Sequence, residues 1–381
     1  MKRLNSYGYR GTARHNAARK YWLRFLFLLL IPLGFLIKGL LSLFPDFTEY
    51  TYSRGLFPII MGSLSRLTGL LPFSLIEFII LFLVLFIPIK LVLLIIKAVR
   101  TPVGKLSVFL PFLSLAAMIT GLWLFLQTLL WNINYERHSF AQSAGIETRE
   151  SSVEELTQLC NYLIDTTNAL RLKVEEDGEG VMTAPGGFAS IADRAQVGYD
   201  ALSKEYPFLG GNYGKAKGIL FSRFMSHTNI IGIYTVITGE ANVDTDIPQY
   251  EIASTTMHEM AHQRGFAPED EANFIAWLAC MAHPDVDFQY SGTVMALQYS
   301  MNALYGANAD TYFQLVEKMG EGYSRDITAS QAYWKQFQGI TKKVATKVND
   351  SYLKINGLED GVKSYGRMVD LLLAYYRDNL Q

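Results

Sequence analysis

Thr255-Thr256-Met257-His258-Glu259-Met260-Ala261-His262-Gln263-Arg264-Gly265 decides how the C-terminal two-thirds of this chain are read. A helix presents residues four apart on one face, so His258 and His262 project together. Two imidazoles placed this way can share a Zn2+ ion, and Glu259 then stands beside that ion as a base. The surrounding residues favour the helix. Pro248 fits its first turn and Gly265 its end.

Working upstream, two short runs read as strands, 218–221 and 230–237. The second is rich in β-branched and aromatic residues and ends at Thr238-Gly239-Glu240-Ala241-Asn242. Before them come a helix near 190–206 and, at Ser152-Val153-Glu154-Glu155, a capping box opening another helix. Behind that box Leu156, Leu159, Cys160, Leu163 and Ile164 form an apolar stripe. Downstream, Pro268 restarts the chain as a helix to about residue 282, with Glu269, Asp270 and Glu271 where the helix dipole favours acids. Further helices are expected near 287–305, 310–319, 324–350 and 359–379. Residues 132–381 thus read as one mostly α, α+β domain with a small sheet.

The first third is different. Half of the chain's 381 residues are hydrophobic and only 18% are charged, and the missing charge is concentrated before residue 132. Apolar runs at 22–44, 71–96 and 106–131 are each long enough to span a bilayer, which takes about 20 residues. Lys38 can snorkel to the interface, and Glu77 and Lys90, near opposite ends of the second run, fit interfacial anchors. No small-x-small site follows the first run, which argues against a cleaved signal peptide. Basic residues sit at Lys2, Arg3, Arg10, Arg14, Arg19 and Lys20, and again at Lys97, Arg100 and Lys105. By the positive-inside rule the N-terminus and the second loop are cytoplasmic, and 132–381 is extracytoplasmic. The expected architecture is a membrane domain, 1–131, with three transmembrane helices, followed by the outer domain. A net charge of -1 gives no support for nucleic acid, and two cysteines, Cys160 and Cys280, are too few for a disulfide framework.

Catalytic zinc takes a third protein ligand. The acidic run Glu269-Asp270-Glu271-Ala272-Asn273 follows the glycine turn and resembles the Glu-x-x-Ala-Asp element of gluzincin-type zinc peptidases. The resemblance implies that Glu269 binds the metal and that Asn273 orients the first histidine. Asn replaces Asp here, so that partner brings no negative charge. Glu271 is the competing ligand. A metzincin reading fails because Pro268 stands where a third ligand is needed. In gluzincin-type folds an edge strand by the metal pairs with the substrate backbone. The run 231–237 is either that strand or an ordinary core strand.

The chain also resembles bacterial membrane proteins grouped as domain of unknown function 3810. The resemblance rests on Arg54-Gly55-Leu56-Phe57-Pro58, Leu71-Pro72-Phe73-Ser74, Thr238 to Asn242, His258 to Phe266, Tyr352-Leu353-Lys354 and Ser364-Tyr365-Gly366-Arg367. It implies a zincin-like outer domain and brings no known substrate.

These readings lead to an expected multi-pass cell-membrane protein with a zinc-dependent metallopeptidase site, whose partners are the lipid bilayer and a protein or peptide substrate. Glu259 is the base. Tyr365 leads the candidates for stabilising the oxyanion, with Arg367, His227 and Tyr323 behind it. His283 reads as a capping or surface histidine, and His15 and His138 show no partner in the sequence. The alternatives are a non-catalytic zinc-binding sensor or envelope scaffold and a metal-free helical domain. An intramembrane protease is rejected because Glu251, Gln263 and Arg264 flank the motif.

Overall fold

The computed structural model describes residues 19–102, 104–356, 358 and 367–380. The chain divides into two compact units, Met1–Pro45 with Ile76–Glu136, and Asp46–Leu75 with Arg137–Gln381. The expected boundary at 131/132 therefore gains a discontinuity, because the segment between the first two apolar helices belongs with the C-terminal unit.

In the first unit, Arg19–Leu41, Leu75–Arg100 and Ser107–Glu136 are helices long and apolar enough to cross a membrane. The three expected runs are there, shifted by a few residues. The first and third pack closely, because Gly121 lets the backbone of Phe27 approach where any Cβ would collide. The charge of Lys38, inside the first run, is met by Glu136 at 3.3 Å.

The second unit holds the large core. Its helices are α1 (Phe57–Thr68), α2 (Val153–Arg171), α3 (Gly187–Leu202), α4 (Gln249–Gln263), α5 (Glu269–Ala282), α6 (Val286–Ala307), α7 (Glu321–Lys335), α8 (Ile340–Ile355) and α9 (Met368–Asn379), joined by shorter helical turns. The capping box forms as read: Glu155 N–H donates to Ser152 Oγ and Ser152 N–H to the Glu155 carboxylate. The stripe behind it is buried against α6. The expected helix over 324–350 is instead two, α7 and α8. The chain turns between them because Phe337 is drawn in beside Tyr333 and Trp334, and Gly339 follows in extended backbone. Within the helix expected over 359–379, residues 359–366 lie outside those described.

The strands are β1 (Glu175–Glu176), β2 (Met182–Thr183), β3 (Lys217–Gly218), β4 (Gly232–Thr235) and β5 (Glu240–Val243). β1 and β2 form an antiparallel pair; in the other sheet β5 is central, parallel to β3 and antiparallel to β4. The strand expected over 230–237 stops at Thr235, and 238–242 is more than its end. That stretch is instead a turn followed by the middle strand. Gly239, at φ 67°, makes the turn. The polar residues that disguised β5 find partners inside the protein. Glu240 accepts from Lys217 Nζ at 2.7 Å and Leu75 N–H at 3.0 Å, and Asn242 Nδ2 donates to the carbonyl of Ile233. β4 is left as an edge strand.

Candidate metal centre

α4 is buried along almost its whole length, so its polar residues must find partners inside the protein. His258 and His262 face the same way, their rings 4.6 Å apart and nearly perpendicular. Gly265 stops the helix at φ 82°, in the left-handed region that glycine enters without a Cβ penalty. Its N–H caps the carbonyl of His262, and Pro268 then starts α5. The result is a tight reversal that returns Glu269 to the histidines. Glu269 Oε2 lies 3.1 Å from His258 Nε2 and 3.5 Å from His262 Nε2. Among the described residues this is the one group of three or more His, Cys, Asp or Glu side chains close enough to hold a metal ion, with ligand atoms within 4.8 Å of one another.

The turn also orients His262. The carbonyl oxygen of Phe266 lies 2.7 Å from His262 Nδ1. A carbonyl only accepts, so Nδ1 carries a proton, and Nε2 is the ring atom that faces Glu269 and would offer its lone pair to a metal once deprotonated. His258 Nδ1 is buried with no hydrogen-bond partner among the described residues.

Two expectations about the acidic run are corrected. Glu271 is not at the metal group. Two residues along a helix rotate a side chain about 200°, and its carboxylate turns away to accept from Phe140 N–H at 2.9 Å. Asn273 does not orient His258. It follows Glu269 by one helical turn, and its amide donates to the Tyr299 hydroxyl at 3.3 Å. Tyr299, on α6, was missed. Nothing in the sequence separates it from the other 21 of the chain's 22 tyrosines. Burial, then the nearby Glu269 charge, pushes its phenol up to about 12.

Glu259 is buried beside the histidines, and its Oε2 has no hydrogen-bond partner. The backbone N–H of Tyr234 on β4 donates to its carboxylate. At Gly232 the strand passes so close that an added Cβ would sit 2.8 Å from Glu259 Cδ. Burial pushes the Glu259 carboxyl up to about 7, against the pull of His258 and His262. Burial works against a charged His262, but Glu269 outweighs it and carries the imidazole up to about 9. For Glu269 burial is likewise outweighed, and the two histidines hold its carboxyl far below the usual range. The three groups thus share positive and negative charge in largely buried surroundings. An ion replacing the shared protons would meet two neutral imidazoles and one carboxylate.

The remaining candidates fall elsewhere. Tyr365 lies outside the described residues. Arg367 pairs with Asp270 at 3.3 Å, in the first turn of α5. His227 packs edge-on against Phe337, and Tyr323 is buried near Asp326. His283 stacks on Phe288 and accepts from Asp285 N–H, the capping role read for it. His138 meets Asp46 at 2.9 Å. Both cysteines are buried free thiols.

The family model described as "Protein of unknown function (DUF3810)" matches residues 52–373. No curated protein and no solved structure matches the chain.

Proposed function

We propose that this chain, which belongs to the DUF3810 family, is a membrane-anchored zinc metallopeptidase with a zincin-like domain that hydrolyses peptide bonds outside the cytoplasm. One observation carries the reading: Nε2 of His258, Nε2 of His262 and Oε2 of Glu269 converge, with the unpartnered oxygen of Glu259 buried beside them. Two imidazoles and one carboxylate are a donor set that suits zinc and leaves a position open. When bound, the ion supplies a Lewis acid for a carbonyl oxygen and lowers the pKa of a water to about 7.

The chain's own residues do the rest. Glu259, its affinity for a proton raised by burial to a pKa of about 7, can take a proton from the attacking water and return it to the leaving amine. His262 is held in one tautomer by Phe266. β4 lies beside Glu259 as an edge strand of its sheet, a position that suits pairing with an extended peptide backbone. Ile233, exposed on that strand, would meet the substrate's neighbouring side chain.

The three apolar helices act as the anchor. The basic residues before the first and between the second and third put the N-terminus in the cytoplasm and Arg137–Gln381 outside. A reporter active only in the cytoplasm, fused after Gln381, should be silent; activity there overturns this topology.

The decisive comparison is cleavage of a peptide library by the full chain and by Glu259→Gln, with zinc content measured on both. Loss of cleavage with zinc retained supports the peptidase. The slight exposure of the three ligands, 6–16% of each side chain, favours the second reading, a non-catalytic zinc-binding sensor or scaffold. Zinc bound by both proteins with equal or no cleavage would establish that instead.

A further inference from the structure

Resting on the metal-site reading above, we propose that Glu49 and Arg137 are positioning residues for the site, acting on His262 through the Gly265–Phe266 turn. Glu49 is fully buried. Arg137 grips it with two parallel bonds, Nε to Oε2 at 2.8 Å and Nη2 to Oε1 at 2.9 Å. Arg54 Nε and Ser143 Oγ also donate to Oε1, at 2.5 and 3.3 Å. This leaves Arg137 Nη1, which donates to the carbonyl of Gly265 at 3.1 Å. The guanidinium lies 4.0 Å over the ring of Phe266. One side chain therefore holds the carbonyl of the first residue of the turn and the ring of the second.

The next bond in the chain of contacts is the one that matters for the metal. Phe266 offers its carbonyl to His262 Nδ1. If the turn moves, that carbonyl moves with it and the imidazole loses what fixes its tautomer and ring angle. Glycine in the left-handed region resists such movement poorly by itself. A buried arginine and glutamate, with Arg54 half-buried beside them, cost desolvation that an ordinary helix end avoids, and here the remaining donor is spent on the turn. Glu49 comes from the segment before α1, so residues far from the motif in sequence help to set the geometry of the motif's second histidine.

The test uses the full chain in detergent. Zinc affinity is measured by competition with a chelating dye for wild type, Arg137→Lys and His262→Ala. Zinc-free melting is measured alongside, as is the tautomer of neutral His262, read by nitrogen NMR of histidine-labelled protein at a pH high enough to deprotonate the imidazole. Lysine keeps the charge beside Glu49 but loses the fork that reaches Gly265. The expected result is zinc binding weakened about 10- to 100-fold, the range for losing a group that orients a ligand. Melting of the zinc-free protein stays near wild type, and the Nδ1–H tautomer of His262 becomes less populated. Unchanged affinity and tautomer in Arg137→Lys overturn the proposal. If wild type binds zinc no better than His262→Ala, the metal-site reading fails instead, and the tautomer comparison still decides the clamp. Should Arg137→Lys not fold, Phe266→Leu removes the ring beneath the guanidinium while keeping the carbonyl, and the same shift in affinity and tautomer is expected.

Discussion

Glu269 Oε2 lies 3.1 Å from His258 Nε2, a carboxylate in the first turn of one helix meeting an imidazole in the body of the helix before it. Only the reversal at Gly265 makes the contact possible, and it identifies which acid of the Glu269-Asp270-Glu271 run serves the histidines.

The first prediction follows from that contact. Glu269→Ala and His258→Ala should each abolish tight zinc binding, whereas Glu271→Ala should not. At free zinc 100 times the dissociation constant, wild type should gain about 2.7 kcal/mol of stability, and the two ligand variants none. A calorimetric melt with and without zinc reads this directly. Loss of binding in Glu271→Ala alone would show the wrong carboxylate was chosen.

Acid should switch the proposed reaction off. A base acts only when deprotonated, and burial holds Glu259 up to about 7. Below its pKa kcat/KM should fall about tenfold per pH unit. A dication in the site would pull that limb lower, so it should fall at or below pH 7. A limb centred above pH 8 would contradict Glu259 as the base.

Gly232→Ala tests how β4 holds that base. The new methyl group would run into the Glu259 carboxylate, which has little room to retreat among buried neighbours. Cleavage should drop by an order of magnitude or more, with zinc affinity close to wild type because neither histidine is touched. Wild-type cleavage would show that the strand and the base move freely past each other.

Glu271 makes a prediction about stability. Burial, then the neighbouring charge of Asp270, pushes its carboxyl from 4.5 up to about 8. The folded state therefore holds a proton that the unfolded chain releases, and this contribution is present below pH 4.5 and lost as pH rises toward 8. Glu271→Gln keeps an acceptor for Phe140 N–H and does not ionise. Its stability relative to wild type should climb through that window by an amount on the order of a few kcal/mol. Urea melts at pH 5, 7 and 9 would show it. A difference that stays flat with pH would mean that the carboxylate is solvated after all.

The sequence made the histidine helix, its glycine end and the acid that meets the histidines from the start of α5 legible because each has a local signature: histidine spacing, a C-terminal glycine, acids in a first turn. The apolar helices were legible for a similar reason, as were Ser152 and its capping box. What stayed hidden depends on partners distant in the chain. β5 looked like the end of a strand because Glu240 and Asn242 are polar, and only Lys217 and the backbone of Leu75 reveal why they can be buried. Asn273 was assigned to His258 by resemblance, but Tyr299 on α6 takes its amide. Phe266 went unread because it acts through its carbonyl, which every residue has.

The split of the second unit into Asp46–Leu75 and Arg137–Gln381 also bears on how the protein is made. Glu49 waits for a partner 88 residues later and Thr68 for one 170 residues later, with two of the apolar helices synthesised in between. Loops of that length close at modest entropic cost, but nothing can close until the later part has arrived. Were the second and third helices to insert in a membrane, as proposed, that insertion would be a precondition for folding the site. A lesion in either helix would then appear as a C-terminal unit that never matures, and a fragment begun at residue 137 would lack a wall of its own core.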